Sequence, residues 1–167
     1  MNIGLTPQNV EQIAGRNLTF MTSKEISKIN DISNIIERAP ILLLYLNAQN
    51  SGHWVCVQVD NMHKTIEFFD PYGLEPDSEY GYVPPAYHFR KNMERLLEKE
   101  GNREGYIVKY NSVHLQKMAR GDDVCGRWVG YRIRRHELSL SEFNNMFINV
   151  KDRDGLIVKI TNKYLSL

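Results

Sequence analysis

Six consecutive apolar residues, Ile41-Leu42-Leu43-Leu44-Tyr45-Leu46, constrain this chain more than any other stretch. An apolar run without polar alternation reads as a strand covered on both faces. It is far shorter than the ~20 apolar residues that span a bilayer. Gln49-Asn50-Ser51-Gly52 follows as a turn. His53 to Asp60 then reads as a second strand. Asn61-Met62-His63-Lys64 connects it tightly to a third, Thr65 to Asp70. Strands joined this closely form an antiparallel hairpin. Pro71-Tyr72-Gly73 stops the third strand.

The flanks read as helices. Thr6-Pro7 opens a short one that ends by Gly15. Thr22-Ser23-Lys24-Glu25 has capping-box spacing. Ile26, Ile29, Ile32, Ile35 and Ile36 follow at helical intervals as core residues, with Asp31 and Ser33 placed to divide the run in two. Glu75 to Pro85 is a polar loop. Ala86 to Glu100 reads as an amphipathic helix with Phe89, Met93, Leu96 and Leu97 on one face, closed by Gly101. Tyr106 to Tyr110 is a fourth strand. A helix begins near Cys125 and runs to about His136, and Ser139-Leu140-Ser141-Glu142 opens another. From Asp154, Leu156, Ile157, Ile160 and Tyr164 recur at helical spacing, a strand over Leu156 to Ile160 being the alternative. This order predicts an α+β class: one domain over 1–167, with a small, mainly antiparallel sheet flanked by helices.

Composition narrows the function. A formal net charge of +1 gives no overall bias toward nucleic acid. Cys56 and Cys125 are too few for a disulfide framework, which favours a reducing compartment. Zinc spacing with four ligands is absent, and the N-terminus lacks the basic-then-apolar layout of a signal peptide.

Chemistry concentrates at Asp122-Asp123-Val124-Cys125-Gly126. A thiol attacks a carbonyl well only as a thiolate, and a helix N-terminus and a nearby imidazolium both favour that form. Cys125 stands where a helix begins, and Gly126 offers no side chain to obstruct an approaching substrate backbone. His53 starts the second strand. Asp70 ends the third, seventeen residues on, so the hairpin brings the two together at its open end. That suits a carboxylate orienting an imidazole whose other nitrogen faces the thiol. Cys56, mid-strand among apolar neighbours, reads as core.

Together, Gly52-His53-Trp54, Phe68-Phe69-Asp70-Pro71-Tyr72-Gly73, a glutamine, and Asp123-Val124-Cys125-Gly126 resemble one clan of cysteine proteases. It is the clan of the adenovirus maturation protease and the SUMO-specific proteases. The order His, Asp, Gln, Cys is that clan's order, and the likeness runs from about Ile41 to His136. It implies an adenain-like fold, Cys125 as nucleophile, His53 as general base, Asp70 as orienter and Gln116 as oxyanion-hole donor. The gap from Gln116 to Cys125 is longer than the clan's usual one, with Met118 to Asp122 resembling an insertion; Asn111 and Gln49 are the alternatives. Trp54 is similar to the aromatic that lines the clan's narrow channel for small residues, with hairpin core as its other reading, and Gly126 is a second candidate channel wall.

The short chain looks most like the minimal viral members, those of adenoviruses, virophages and large DNA viruses. By resemblance, the expected activity is an endopeptidase cutting a polypeptide after small, glycine-rich sites to mature viral structural proteins, in the virion or the host cytoplasm or nucleus. The alternative is an isopeptidase acting on ubiquitin-like conjugates. Acetyl transfer from acetyl-coenzyme A, known for the same triad, is disfavoured because no added cofactor-binding region is evident, and an intact triad argues against an inactive binding module. No cofactor is implied, although a peptide or DNA activator is allowed for. Arg127, Arg132, Arg134 and Arg135 follow the cysteine closely; they read either as a solvated helix surface or as a nucleic-acid contact.

Overall fold

Five strands form one sheet in the computed structural model, which describes residues 5–117 and 124–165. They are β1 (Thr19–Thr22), β2 (Ile41–Ala48), β3 (Ser51–Asp60), β4 (Thr65–Phe69) and β5 (Ile107–Tyr110), side by side in chain order. The meander β2-β3-β4 is antiparallel, as its turns dictate. Both outer strands pair parallel, β1 with β2 and β5 with β4. The sheet is therefore mixed, antiparallel at its centre and parallel at both edges. Parallel neighbours need a crossover. Two helices, α2 and α3, supply the first crossover, and the long segment after β4, ending in α4, supplies the second.

The helices are α1 (Pro7–Ala14), α2 (Ser23–Ile26), α3 (Ser33–Arg38), α4 (Met93–Arg95), α5 (Cys125–Arg134), α6 (Leu140–Asn145) and α7 (Arg153–Asn162). α4 runs on as a wider π-helical turn over Leu96–Gly101. Thr6, Thr22 and Ser139 all form full capping boxes, and Asp152 caps α7. The isoleucine run is divided at the expected place, and the C-terminal segment is helical rather than extended. The helix expected from Ala86 corrects to a much later start. Pro84 and Pro85 set a 3-10 turn over Pro85–Tyr87, and the chain then extends at His88. Asn92 is buried and its side-chain amide donates to Ile26 O at 2.8 Å and Ile29 O at 2.6 Å. The segment before α4 thus ties the two crossovers together instead of continuing a helix.

The sheet lies between two apolar layers. Leu42, Leu44, Trp54, Cys56 and Phe69 face α1, α5, α6 and α7. Ile41, Leu43, Tyr45, Val55, Val57, Ile66 and Phe68 face α2, α3 and α4. This explains the unbroken apolar run of β2: alternate residues enter different cores, and both are sealed.

Folding gives each of the arginines after Cys125 partners within the chain, which supports neither an open solvated face nor a nucleic-acid contact. Arg132 is only 3 % exposed. Its Nε and Nη2 donate to both Glu67 carboxylate oxygens at 2.8 Å, and its Nη1 donates to Arg135 O and Leu138 O. Arg127 donates to Thr161 Oγ1 at 2.9 Å and Asn162 Oδ1 at 2.8 Å on α7. Arg134 donates to Ile13 O at the end of α1, and its guanidinium lies 3.7 Å from the Tyr164 ring centre. Arg135 pairs with Glu137. These side chains bind α5 to its neighbours. The stretch from Met118 to Asp122 lies outside the described residues.

Removing one partner of a buried ion pair leaves the other charge uncompensated, at about 3–5 kcal/mol. Arg132→Ala is therefore expected to lower the unfolding free energy by about 3 kcal/mol, read from urea denaturation. Arg135→Ala, at an exposed pair, changes it by less than about 1 kcal/mol.

Candidate active site

Gly52 shapes the start of β3. A Cβ there would lie 1.9 Å from Tyr45 O, so only glycine lets β3 close on β2 at the bulge between Leu46 and Ala48. His53 follows, paired across the sheet with Tyr45. It is 5 % exposed. At the far end of the hairpin the β3–β4 pairing stops at Phe69, and the chain turns at Asp70. Asp70 Oδ1 accepts from His53 Nε2 at 2.8 Å and from the Tyr72 backbone N–H, also at 2.8 Å. Gly73 closes the turn: its N–H donates to Asp70 O, and its φ of 77° lies in the left-handed region. A side chain there would also strike the Val113 backbone at 2.9 Å.

Cys125 arrives from the other layer. It is the first residue of α5, so the positive end of that helix faces its sulfur. Cys125 Sγ accepts from the Trp54 backbone N–H at 3.5 Å, and its side chain shares a hydrogen bond with the His53 imidazole. Thiol, imidazole and carboxylate are thus contiguous. Burial is the largest influence on His53 and pulls its pKa down. The Asp70 charge and hydrogen bond, with the hydrogen bond and charge of Cys125, outweigh it and hold the imidazole well above its usual value.

Gln116 is buried beside the same turn. Its backbone N–H and that of Leu115 donate to Pro71 O, both at 2.9 Å, and its side-chain Nε2 lies 3.5 Å from Tyr72 Oη. The alternative Asn111 serves a different end: its amide donates to Asp70 O at 2.7 Å, bracing the turn from β5. Gln49 is exposed in the β2–β3 turn. Trp54 is buried in the α1–α5 layer, its ring 5.6 Å from that of the part-exposed Phe20 on β1. Gly126 has a packing role as well: a Cβ there would meet Val10, Leu5 and Trp54 side chains at 3.2–3.3 Å. The direction in which that Cβ would point is occupied by these side chains.

Two residues escaped the sequence reading. Tyr72 stacks on His53 with ring centroids 4.4 Å apart and planes 15° from parallel. Its signal was present, two residues after the aspartate in the Asp-Pro-Tyr-Gly turn. Glu79, from a 3-10 turn (Ser78–Tyr82), approaches the imidazole from a segment that reads only as polar loop. Burial raises its carboxyl to about 7, with the His53 charge pulling it down and that of Asp70 pushing it up.

With this geometry in place, the comparisons with known proteins become informative. Residues 19–156 match the Ulp1 protease family, C-terminal catalytic domain. The fold is similar to that of the ASFV pS273R protease, with a TM-score of 0.58 and 17 % identity over 98 % of this chain and 68 % of that one. Protein V9 of Sputnik virophage is 34 % identical over 109 residues, 61 % of this chain. The match spans 58 % of the length of V9. The chain belongs to the Ulp1 protease family.

The two thiols differ in a way that labelling can read. Cys56 is fully buried mid-sheet; burial and then the Glu67 charge push its thiol well up, while Arg132 opposes them. At neutral pH, limiting iodoacetamide is expected to modify Cys125 and to spare Cys56 until the protein unfolds, as read by peptide mass mapping.

Proposed function

We propose that this protein is a cysteine endopeptidase in which Cys125 is the nucleophile, His53 the general base and acid, and Asp70 its orienter. The observation that carries this reading is His53, bonded to the Asp70 carboxylate at 2.8 Å on one side and to the Cys125 side chain on the other. The thiolate adds to the scissile carbonyl carbon, forming a carbon–sulfur bond and an oxyanion. Gln116 Nε2 and the Cys125 backbone N–H are the donors proposed to stabilise that oxygen. Collapse expels the amine, which takes the proton from the His53 imidazolium. A water molecule, deprotonated by His53, then attacks the thioester and releases the acid, restoring the thiol pair.

Substrate preference is inferred from the approach. Trp54, whose backbone N–H reaches the Cys125 sulfur and whose ring packs 5.6 Å from that of Phe20, is the aromatic taken to narrow the approach, in keeping with cleavage after small residues such as glycine. Likeness to a virophage protein and to the fold of a viral protease supports viral structural proteins as substrates, and therefore the virion or the infected cell as the place of action. Peptide or DNA activation remains part of this proposal. The four arginines give no support to a DNA contact, since each is engaged within the chain.

Cys125→Ala is expected to abolish cleavage of a peptide library at every pH, with the fold retained by circular dichroism. Retained cleavage overturns the nucleophile. Asp70→Asn keeps the shape but removes the charge that orients the imidazole, and kcat/KM is expected to fall about 10³-fold or more. Cleavage restricted to ubiquitin-like conjugates, with covalent capture by a ubiquitin or SUMO vinyl sulfone, would replace the endopeptidase by the isopeptidase.

A further inference from the structure

His53, Asp70 and Glu79 each offer a nitrogen or oxygen within 4.8 Å of the others, and all three are buried. Glu79 is 8 % exposed, and its Oε2 has no hydrogen-bond partner. A buried carboxyl oxygen without a hydrogen-bond partner is costly. Its position is nonetheless fixed. Asp77, just before it, accepts a hydrogen bond from the buried Tyr45 hydroxyl at 2.9 Å, donates its own N–H to that oxygen, and caps the Glu94 N–H. The turn therefore holds Glu79 against the imidazole.

We propose that Glu79 is a positioning residue for the thiol–imidazole pair: a second carboxylate that, beside Asp70, keeps the His53 imidazolium protonated as the pH rises. This rests on the triad reading above. The titratable groups that face Glu79 are His53 on β3 and Asp70 and Tyr72 after β4; Asp77 and Tyr80 share its own segment. Of these, His53 is the cation. The sign follows directly. Glu79 loses its proton near neutrality, while His53 titrates above its usual value. As Glu79 ionises, its negative charge favours the imidazolium, so His53 releases its proton at a higher pH than Asp70 alone would secure. At this separation, a charge is worth about one pH unit or more at an effective dielectric constant of roughly 20–40.

The test is the rate of Cys125 alkylation by iodoacetamide against pH, read by mass spectrometry on wild type and Glu79→Gln. Wild type is expected to show two inflections: a lower one where the ion pair forms and an upper one where His53 loses its proton. In Glu79→Gln the upper inflection should fall by about one unit, and the high-pH limb of kcat/KM should move with it. Two inflections unmoved in the variant overturn the role of Glu79 and leave the triad standing. A single inflection at an ordinary thiol value in wild type overturns the triad reading and this inference together. If Zn²⁺ slows alkylation in wild type but not in Glu79→Gln, and the inflections coincide, the carboxylate is a cation ligand and the inference fails. Wild type alone gives a second reading should the variant misfold. The His53 ring nitrogen shifts should show a minor step near pH 7 as Glu79 ionises, and a single-step curve overturns the proposal.

Discussion

The contact between His53 and Asp70 is the constraint on which the remaining structure depends. Two ionisable groups buried together contribute only if their remaining polar atoms are also satisfied. Asp70 meets that demand through the whole turn. Its Oδ1 serves both His53 and the Tyr72 N–H, while its carbonyl accepts from Gly73 and from Asn111. Asn111 in turn accepts from Asn144 on α6. One carboxylate is thereby braced from β3, from its own turn, from the end of β5 and from the α6 layer. The parallel edge strand β5 bears on the site because Asn111 directly follows it.

The sheet also explains why the Cys125 thiol and the His53 imidazole come from different parts of the chain. His53 shares its strand face with Val55 and Val57, in the core under α2, α3 and α4. Cys125 belongs to the opposite core, with Trp54 and Cys56. A side chain cannot cross a hydrogen-bonded sheet, so the two meet past the end of β4, where the β3–β4 ladder stops at Cys56 and Phe69. There the Trp54 backbone N–H reaches the sulfur. Gly52 makes this meeting sterically feasible by letting the strand ends close on each other.

What was legible in the sequence follows from the range of the interactions. The hairpin, the capping boxes and the division of the isoleucine run are written in neighbouring residues, and each stands where the local pattern puts it. From the hairpin register alone, His53 and Asp70 could be placed together. β1 was not legible: Thr-Phe-Met-Thr carries no strand signal of its own, and its pairing with β2 spans two intervening helices. The missing half of the Ala86 helix has the same cause, since Asn92 bonds to carbonyls more than sixty residues away. Glu79 was illegible because a glutamate in a polar loop is ordinarily solvated. Only the Tyr45–Asp77 anchor, formed across the second core, turns it inward.

The arginines show how far charge in the sequence can mislead. Several cations within ten residues of the nucleophile suggest an electropositive surface. Folding disposes of them one by one, in a bidentate pair with Glu67, an exposed pair with Glu137, and bonds to neutral groups on α1 and α7. The paired charges of Arg132 and Arg135 cast little field at a distance, while Arg127 and Arg134, held by neutral oxygens, keep theirs, which ions screen only beyond about 8–10 Å. Closest to the sulfur are the start of α5 and the His53 imidazole, with the carboxylates gathered behind that ring. An imidazolium buried this deeply loses most of its hydration, a loss that Asp70, first, and Cys125 offset. On the proposed role of Glu79, its protonation would set how much of the pH range a thiolate–imidazolium pair could occupy.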